Sequence, residues 1–335
     1  MNILVTGGLG FIGSNFILNF LKKYPKTSIF NMDASFFGSN KKNLESIENL
    51  ENYTFFDANI CDKKYVDKII EKMDGVINFA AESHVDRSIH NSKPFLESNI
   101  MGMYTLLDSI RIKNKKCRFI QISTDEVFGS VDSGFSKEKD VFRPSNPYSA
   151  SKASAEMIAE SYVKTYGLDI VITRCTNNYG PRQFPEKIIP KTIIRAEKNM
   201  KIPIYGNGKN VRDWLYVDDH CEAIMKVFDD GKTGESYNIS DMNEISNIGL
   251  VEQVLEYMNK PKELISFVDD RPGHDLRYGL DSSKIRNELG WKPKRKFIES
   301  LEATIDWYQN NRNWWESIIT DEMLDPTPWK KYRQQ

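Results

Sequence analysis

The stretch Ile3-Leu4-Val5-Thr6-Gly7-Gly8-Leu9-Gly10-Phe11-Ile12-Gly13 decides the fold. Ile3-Leu4-Val5 reads as a buried strand, and residues 14–23 carry a helical pattern. Between them, glycines at 8, 10 and 13, or at 7, 10 and 13, have the spacing of a dinucleotide fingerprint. Gly7, Gly10 and Gly13 let the backbone turn tightly and approach a pyrophosphate at the helix N-terminus. Residues 29–33 follow as a second strand. Asp33 ends it about 20 residues on, where a carboxylate holds the ribose hydroxyls and repels a 2′-phosphate. The expected fold class is α/β: a Rossmann-type doubly wound parallel sheet that binds NAD rather than NADP.

Runs at residues 54–56, 76–79, 119–122 and 168–174 read as further strands of that sheet. Residues 94–112 read as one long amphipathic helix, with Leu96, Ile100, Met103, Leu107 and Ile110 at helical spacing. That stripe is core or a subunit contact. Past Arg174 the alternation of strand and helix loosens. Asn177-Asn178-Tyr179-Gly180-Pro181 is expected to be a loop of amide donors, and residues 201–206 a short strand and turn. The expected division is residues 1–175 mainly for NAD binding and 176–335 mainly as a smaller α/β substrate-binding region, with the chain crossing back to the first domain. No internal repeat or low-complexity segment is present.

The strand at 119–122 delivers Ser123-Thr124-Asp125-Glu126 to the carboxyl edge of the sheet, where ligands of such sheets bind. Tyr148 and Lys152 are four apart on an expected helix, residues 147–166, and so share one face. A phenol and an ammonium beside two carboxyls form a proton-transfer constellation; the bland alternative is a surface Tyr and Lys. Adjacent strand residues point to opposite faces. Asp125 and Glu126 therefore reach one ligand only if the chain leaves the strand, which predicts a loop or helix start at 124–126. His84 is a ligand, a base or a hydrogen-bonded structural histidine. Arg212 and Arg271 suit a diphosphate, because a guanidinium fork matches phosphate geometry; pairing with nearby aspartates is the alternative.

Composition narrows the function classes. Among 335 residues, 46 Lys and Arg balance 47 Asp and Glu, which argues against an electrostatic nucleic-acid binder. Four scattered cysteines show neither metal-ligand spacing nor a disulfide framework, so no metal is expected. Without a signal-like opening or a membrane-length apolar run, the expected setting is the cytoplasm, with no membrane partner.

Five further runs carry a resemblance: Phe79-Ala80-Ala81-Glu82-Ser83-His84-Val85-Asp86-Arg87-Ser88-Ile89, Ser123-Thr124-Asp125-Glu126-Val127-Phe128-Gly129, Asn146-Pro147-Tyr148-Ser149-Ala150-Ser151-Lys152, Asn177 to Pro181, and Arg271-Pro272-Gly273-His274-Asp275. With the opening glycines they resemble the extended short-chain dehydrogenase/reductase family and, more closely, the dTDP-glucose 4,6-dehydratases, over nearly the whole chain. The resemblance implies Tyr148 as base, Lys152 as its activating cation and Thr124 as a hydrogen-bond donor to the sugar. It implies Asp125 as acid and Glu126 as base of water elimination. Lys152 and oxidised nicotinamide together would bring Tyr148 down from the ordinary phenol value of about 10.

By the same resemblance Phe11, Ile12, Asp33, Asn59, Ile60, Ala80, Ala81, Ser98 and Asn178 match NAD contacts. Ser83, Asn177, Glu186, Lys187, Arg212, Asn243, Arg271 and His274 match positions around the nucleotide sugar. The family usually has Asp where Asn59 stands, and Asp33-Ala34-Ser35-Phe36-Phe37-Gly38 departs from its usual loop. The implied substrate is dTDP-glucose, with UDP-glucose as the alternative. The implied assembly is a homodimer through two helices of each subunit, the second presenting Ala155, Ile158, Ala159 and Tyr162. A nucleotide-sugar 4-epimerase shares Tyr148 and Lys152 but has no evident need of Asp125 and Glu126. A non-enzymatic NAD sensor needs none of the four.

Overall fold

Seven strands assemble in the parallel sheet of a computed structural model that describes residues 1–331. In chain order, the strands are β1 (Asn2–Thr6), β2 (Ser28–Asp33), β3 (Tyr53–Asp57), β4 (Gly75–Asn78), β5 (Arg118–Thr124), β6 (Ile170–Cys175), β7 (Asn177–Tyr179), β8 (Ile202–Tyr205), β9 (Val211–Tyr216), β10 (Ser236–Ile239), β11 (Glu244–Ser246) and β12 (Ile265–Val268). The main sheet runs β10-β6-β5-β4-β1-β2-β3. Every pairing in it is parallel. Side chains alternate as a two-residue period demands. Ile3, Val5, Ile77 and Ile120 enter one apolar core, and Leu4, Val76 and Phe119 enter the other. Helices Phe11–Lys23 and Val217–Asp230 cover the first face. Helices Lys63–Ile70, Gly102–Lys113 and Pro147–Tyr166 cover the second.

Strand order reverses between β1 and β4, so their following turns diverge and leave a crevice at the carboxyl edge. Gly7 lies on one side of it and Ala80 on the other. A Cβ on Gly7 would sit 2.6 Å from the Ala80 nitrogen, and φ there is +69°. Only glycine tolerates both constraints.

Beside the main sheet stand two small sheets, β11-β9-β7 and β12-β8. Helices Ile188–Glu197, Asn247–Tyr257 and Phe297–Asn310 pack there around Trp214, Tyr179 and Trp315. The chain crosses back twice: helix Val217–Asp230 leads into β10, which pairs with β6, and after β12 Ile285, Leu289 and Trp291 enter the first core. Residues 332–335 of the expected second region lie outside the described residues.

Two local expectations are corrected. Asn177–Tyr179 is not a loop but β7, paired parallel with β9 from Asn177↔Trp214 to Tyr179↔Tyr216. The chain leaves the main sheet at Thr176 and enters the small one without an intervening turn. The helix expected at 94–112 runs from Lys93 to Lys113, but Leu96–Met101 is a π-turn. The wider turn breaks the regular stripe: Leu96 is 46% exposed, whereas Met103, Leu107 and Ile110 are buried. Within that turn Asn99 bonds both backbone groups of Glu82, accepting at 2.9 Å and donating at 3.1 Å, and donates to Ser151 Oγ at 2.8 Å. Ser98 is thereby left on the cavity wall. π-turns recur at functional sites for this reason.

Candidate active site

β5 ends at Thr124, and Asp125–Phe128 continues as a 3-10 turn, as the sequence predicts. Thr124 caps that turn. Its Oγ1 accepts from the Glu126 nitrogen at 3.3 Å and donates to Asp125 Oδ1 at 3.0 Å. The tight turn brings both acids to the same cavity wall. Opposite them, Asn146 and Ser149 close a capping box on the helix Pro147–Tyr166. Tyr148 and Lys152 thus project from its first two turns.

Both carboxyls are raised, against different charged neighbours. Burial, then the neighbouring Glu126, pushes Asp125 up to about 8. Glu126 is also raised by burial, but Arg271, Arg212 and Lys187 pull it back. Asp125 is therefore a neutral acid at neutral pH, and its buried Oδ2 has no hydrogen-bond partner among the described residues. Glu126 Oε2 instead receives the Tyr278 hydroxyl at 3.4 Å, a group that also donates to Asp275 Oδ2 at 2.7 Å. Both acids are raised by burial, but the guanidinium and ammonium charge opposing that rise lies mainly around Glu126, which favours Asp125 as the donor of the pair.

Lys152 is held by the backbone of β5. Its Nζ donates to the Ile122 carbonyl at 2.6 Å, and burial lowers it to about 8 despite the Glu156 carboxylate. Tyr148 is raised well above the usual phenol range, first by burial, then by Glu126 and Cys175; the Thr124 hydroxyl works the other way. Desolvation and the neighbouring acids therefore hold Tyr148 as a neutral phenol.

One cavity of about 320 Å³ gathers most of the expected residues. Gly7, Gly10, Phe11, Ile12, Gly13, Asp33, Asn59 and Ile60 line one end, and Ala80, Ala81, Ser98 and Asn178 its middle. Thr124, Asp125, Glu126, Tyr148 and Lys152 meet at the far wall with Ser83, Asn177, Glu186 and Lys187. Arg212, Arg271 and His274 line an adjoining cavity of about 180 Å³, which shares Glu126 with the first. Asn243 lines neither; its backbone nitrogen donates to Asp213 Oδ1 at 2.7 Å, between β9 and β11.

The glycine end fits a dinucleotide. A Cβ on Gly13 would lie 2.4 Å from the Gly7 carbonyl, so the backbone is bare where the helix Phe11–Lys23 begins. Asp33 already braces this cradle. Its oxygens accept from Leu9 nitrogen at 3.0 Å, Ser35 nitrogen at 2.9 Å and Ser39 Oγ at 2.8 Å. Asn59 Oδ1 accepts from Cys61 nitrogen at 2.8 Å, which leaves one lone pair for another donor. The departing loop contributes an aromatic lip: Phe37 meets Phe184 edge-on at 5.0 Å and lies under the Arg87 guanidinium at 4.0 Å.

The arginines differ from one another. Arg212 is buried and donates to the carbonyls of Val211, Asp275 and Leu276, over the Tyr278 ring. Arg271 pairs with buried Asp86 at 2.8 Å. His84 stands 3.7 Å from Glu186, and burial lowers it well below the ordinary histidine range. Sequence reasoning missed Tyr278, Asp275 and Tyr205. It also missed His220, fully buried, whose Nδ1 lies 2.9 Å from Asn178 Oδ1. Only the run after Arg271 gave any signal, because Asp275 closes it.

The carboxyl assignment is directly measurable. Infrared difference spectra between wild type and Asp125→Asn should contain a protonated carboxyl band at pH 7, and that band should fade as pH rises through about 8. A band already absent at pH 6 contradicts the geometry.

The GDP-mannose 4,6 dehydratase family model matches residues 4–304. A dTDP-glucose 4,6-dehydratase of an Actinoplanes species is 43% identical over 94% of this chain and 100% of its own. DesIV, the dTDP-glucose 4,6-dehydratase of Streptomyces venezuelae solved with NAD bound, has a TM-score of 0.94 and 41% identity, covering 95% of this chain and 100% of that one. The UDP-glucose 4-epimerase of Thermotoga maritima, solved with UDP-glucose, has a TM-score of 0.86 and 28% identity, covering 93% of this chain and 100% of its own. Sequence identity and fold together show that the chain belongs to the dTDP-glucose 4,6-dehydratase family, within the extended short-chain dehydrogenases/reductases.

Proposed function

We propose that the protein converts dTDP-glucose to dTDP-4-keto-6-deoxyglucose, using NAD that is reduced and reoxidised within one turnover. The observation that carries this reading is Asp125, a buried neutral acid with an unpartnered Oδ2, adjacent to the carboxylate of Glu126. An epimerase has no role for that pair. Similarity to curated dTDP-glucose 4,6-dehydratases supports the choice of nucleotide over UDP.

The residues present fit NAD, which when bound accepts hydride from carbon 4 and donates it to carbon 6. Gly7, Gly10 and Gly13, with Phe11 and Ile12, would hold the pyrophosphate, Asp33 the ribose, and Asn59 and Ile60 the adenine side. Ala80, Ala81, Ser98 and Asn178 would border the nicotinamide end. On the substrate, Tyr148 removes the 4-hydroxyl proton while Thr124 orients that oxygen. A phenol as desolvated as Tyr148 requires nearby positive charge beyond Lys152, which the oxidised cofactor brings. Oxidation at carbon 4 acidifies carbon 5. Glu126 takes the carbon-5 proton, and Asp125 protonates the departing 6-hydroxyl. Ser83, Asn177, Glu186, Lys187, Arg212, Asn243, Arg271 and His274 remain the proposed substrate contacts. Residues 1–175 thus serve mainly the cofactor and 176–335 mainly the nucleotide sugar.

The assembly we propose is a homodimer in the cytoplasm. Among the described residues no helix is long and apolar enough to cross a membrane. All four cysteines are unpaired, which supports a reducing setting. Ala155 and Ala159 of the expected interface are buried in the second core with Ile158 and Tyr162 packed against it, whereas Leu96, Met101 and Tyr104 on one helix, and Met157 and Tyr166 on its neighbour, are at least 41% exposed. Such apolar surface suits a second copy.

Replacing Glu126 with Gln should preserve reduction of bound cofactor while slowing loss of deuterium from carbon 5 by about 10²–10⁴-fold. Washout at the wild-type rate would remove Glu126 as the base. For the assembly, sedimentation should give about twice the 38.8 kDa chain mass, and Met157→Asp should shift the species toward the monomer. A wild-type monomer at micromolar concentration would refute the dimer.

A further inference from the structure

The chain's last described segment returns to the substrate side. After the helix Arg312–Glu316, residues 320–331 run back across helix Ile188–Glu197, and Pro328–Lys331 packs against the helix Val85–His90. Three kinds of tie hold this segment. Lys191 Nζ donates to the Asp325 carbonyl at 3.1 Å, and Arg195 donates to the Leu324 carbonyl. Lys330 pairs with Asp269 in the loop that carries Arg271. Trp329, only 3% exposed, meets the Tyr205 ring edge-on with centroids 4.3 Å apart.

Tyr205 is the link to the cavity. Its hydroxyl donates to Asp86 Oδ2 at 3.2 Å, while Arg271 Nη1 donates to Asp86 Oδ1 at 2.8 Å. One buried carboxylate is thus shared by the tyrosine that Trp329 supports and by the guanidinium that faces the smaller cavity. Arg271 Nε has no partner among the described residues, so the fork is only partly engaged.

We infer that the C-terminal strap is a positioning element for the nucleotide end of the substrate site: Trp329 fixes Tyr205 and, through Asp86, the aim of Arg271. The inference rests on the proposed function, because it takes Arg271 as a substrate contact. Tyr205 and Arg271 line the smaller cavity only, whereas Tyr148, Lys152 and Asp125 line the larger one only. Loosening the strap therefore acts mainly on substrate binding, and reaches the chemical steps only through the Arg271 charge beside Glu126, which lines both cavities.

The test measures steady-state kinetics on dTDP-glucose, and dTDP binding by calorimetry, on the NAD-loaded enzyme. Trp329→Ala should raise KM about tenfold, weaken dTDP by a similar factor and leave kcat within about twofold. Trp329→Phe, which keeps an aromatic edge, should recover most of the loss. A structural defect alone would lower kcat or the melting temperature without this split and without that rescue. Arg271→Lys is the reference, since it removes the fork and keeps the charge. If Arg271→Lys raises KM and Trp329→Ala changes neither KM nor dTDP affinity, the strap has no positioning role. If Arg271→Lys itself changes nothing, the substrate-site reading fails and takes the inference with it. Should Trp329→Ala not fold, Lys330→Ala opens only the surface tie to Asp269. It should raise KM about threefold, and an unchanged KM contradicts the inference.

Discussion

The buried ion pair between Glu156 and Arg174 sets the geometry on which the site depends. The two side chains are 0% and 1% exposed and meet at 2.6 Å. Glu156 also accepts the Ser123 hydroxyl at 2.5 Å, two residues before the acids begin. Arg174 reaches on to the Glu138 carbonyl and Ser236 Oγ, with its guanidinium beside the rings of Phe128 and Phe142. One contact thereby joins the helix bearing Tyr148 and Lys152 to β5, β6 and β10. A slip of that helix would separate phenol from carboxyls. Such a pair adds little net stability over an apolar replacement, yet removing one partner costs about 3–5 kcal/mol because it strands a buried charge. Its value here is in holding register.

Within that frame the chemistry is electrostatic sorting. Asp125 and Glu126 are neighbours in sequence, yet their surroundings differ. Asp125 meets a threonine hydroxyl and the Glu126 charge; Glu126 meets more guanidinium charge and the Tyr278 hydroxyl. The 3-10 turn matters because an extended strand would have sent one acid into the core. Tyr148 stands at the opposite extreme, a phenol held neutral by desolvation.

Much of this was legible in the sequence wherever the signal was local. Glycine spacing marked the cradle, the four-residue interval put Tyr148 beside Lys152, and the adjacency of two acids required an exit from the strand. Contacts made by distant chain were not legible. Asp86 and Arg271 lie far apart in sequence, as do Tyr205 and Trp329, and no periodicity announces such meetings. The i,i+4 interval puts Lys152 on the face of Tyr148 but gives no sign of the Ile122 carbonyl to which its ammonium donates. The π-turn escaped because Leu96 and Ile100 fit an ideal helix, and only the demand of Asn99 for the Glu82 backbone widens it. Asn177 to Tyr179 looked like a loop because its partner strand, β9, arrives later in the chain.

The central claim is that hydride leaves carbon 4 and returns to carbon 6 of the same sugar, with water lost between. Mass spectrometry of the product from dTDP-glucose deuterated at carbon 4 tests it most directly, with catalytic NAD and no added oxidant. The account predicts a 4-keto-6-deoxy sugar whose deuterium resides at carbon 6. Deuterium retained at carbon 4 of an unchanged or epimerised hexose, or released on free reduced cofactor, would contradict it.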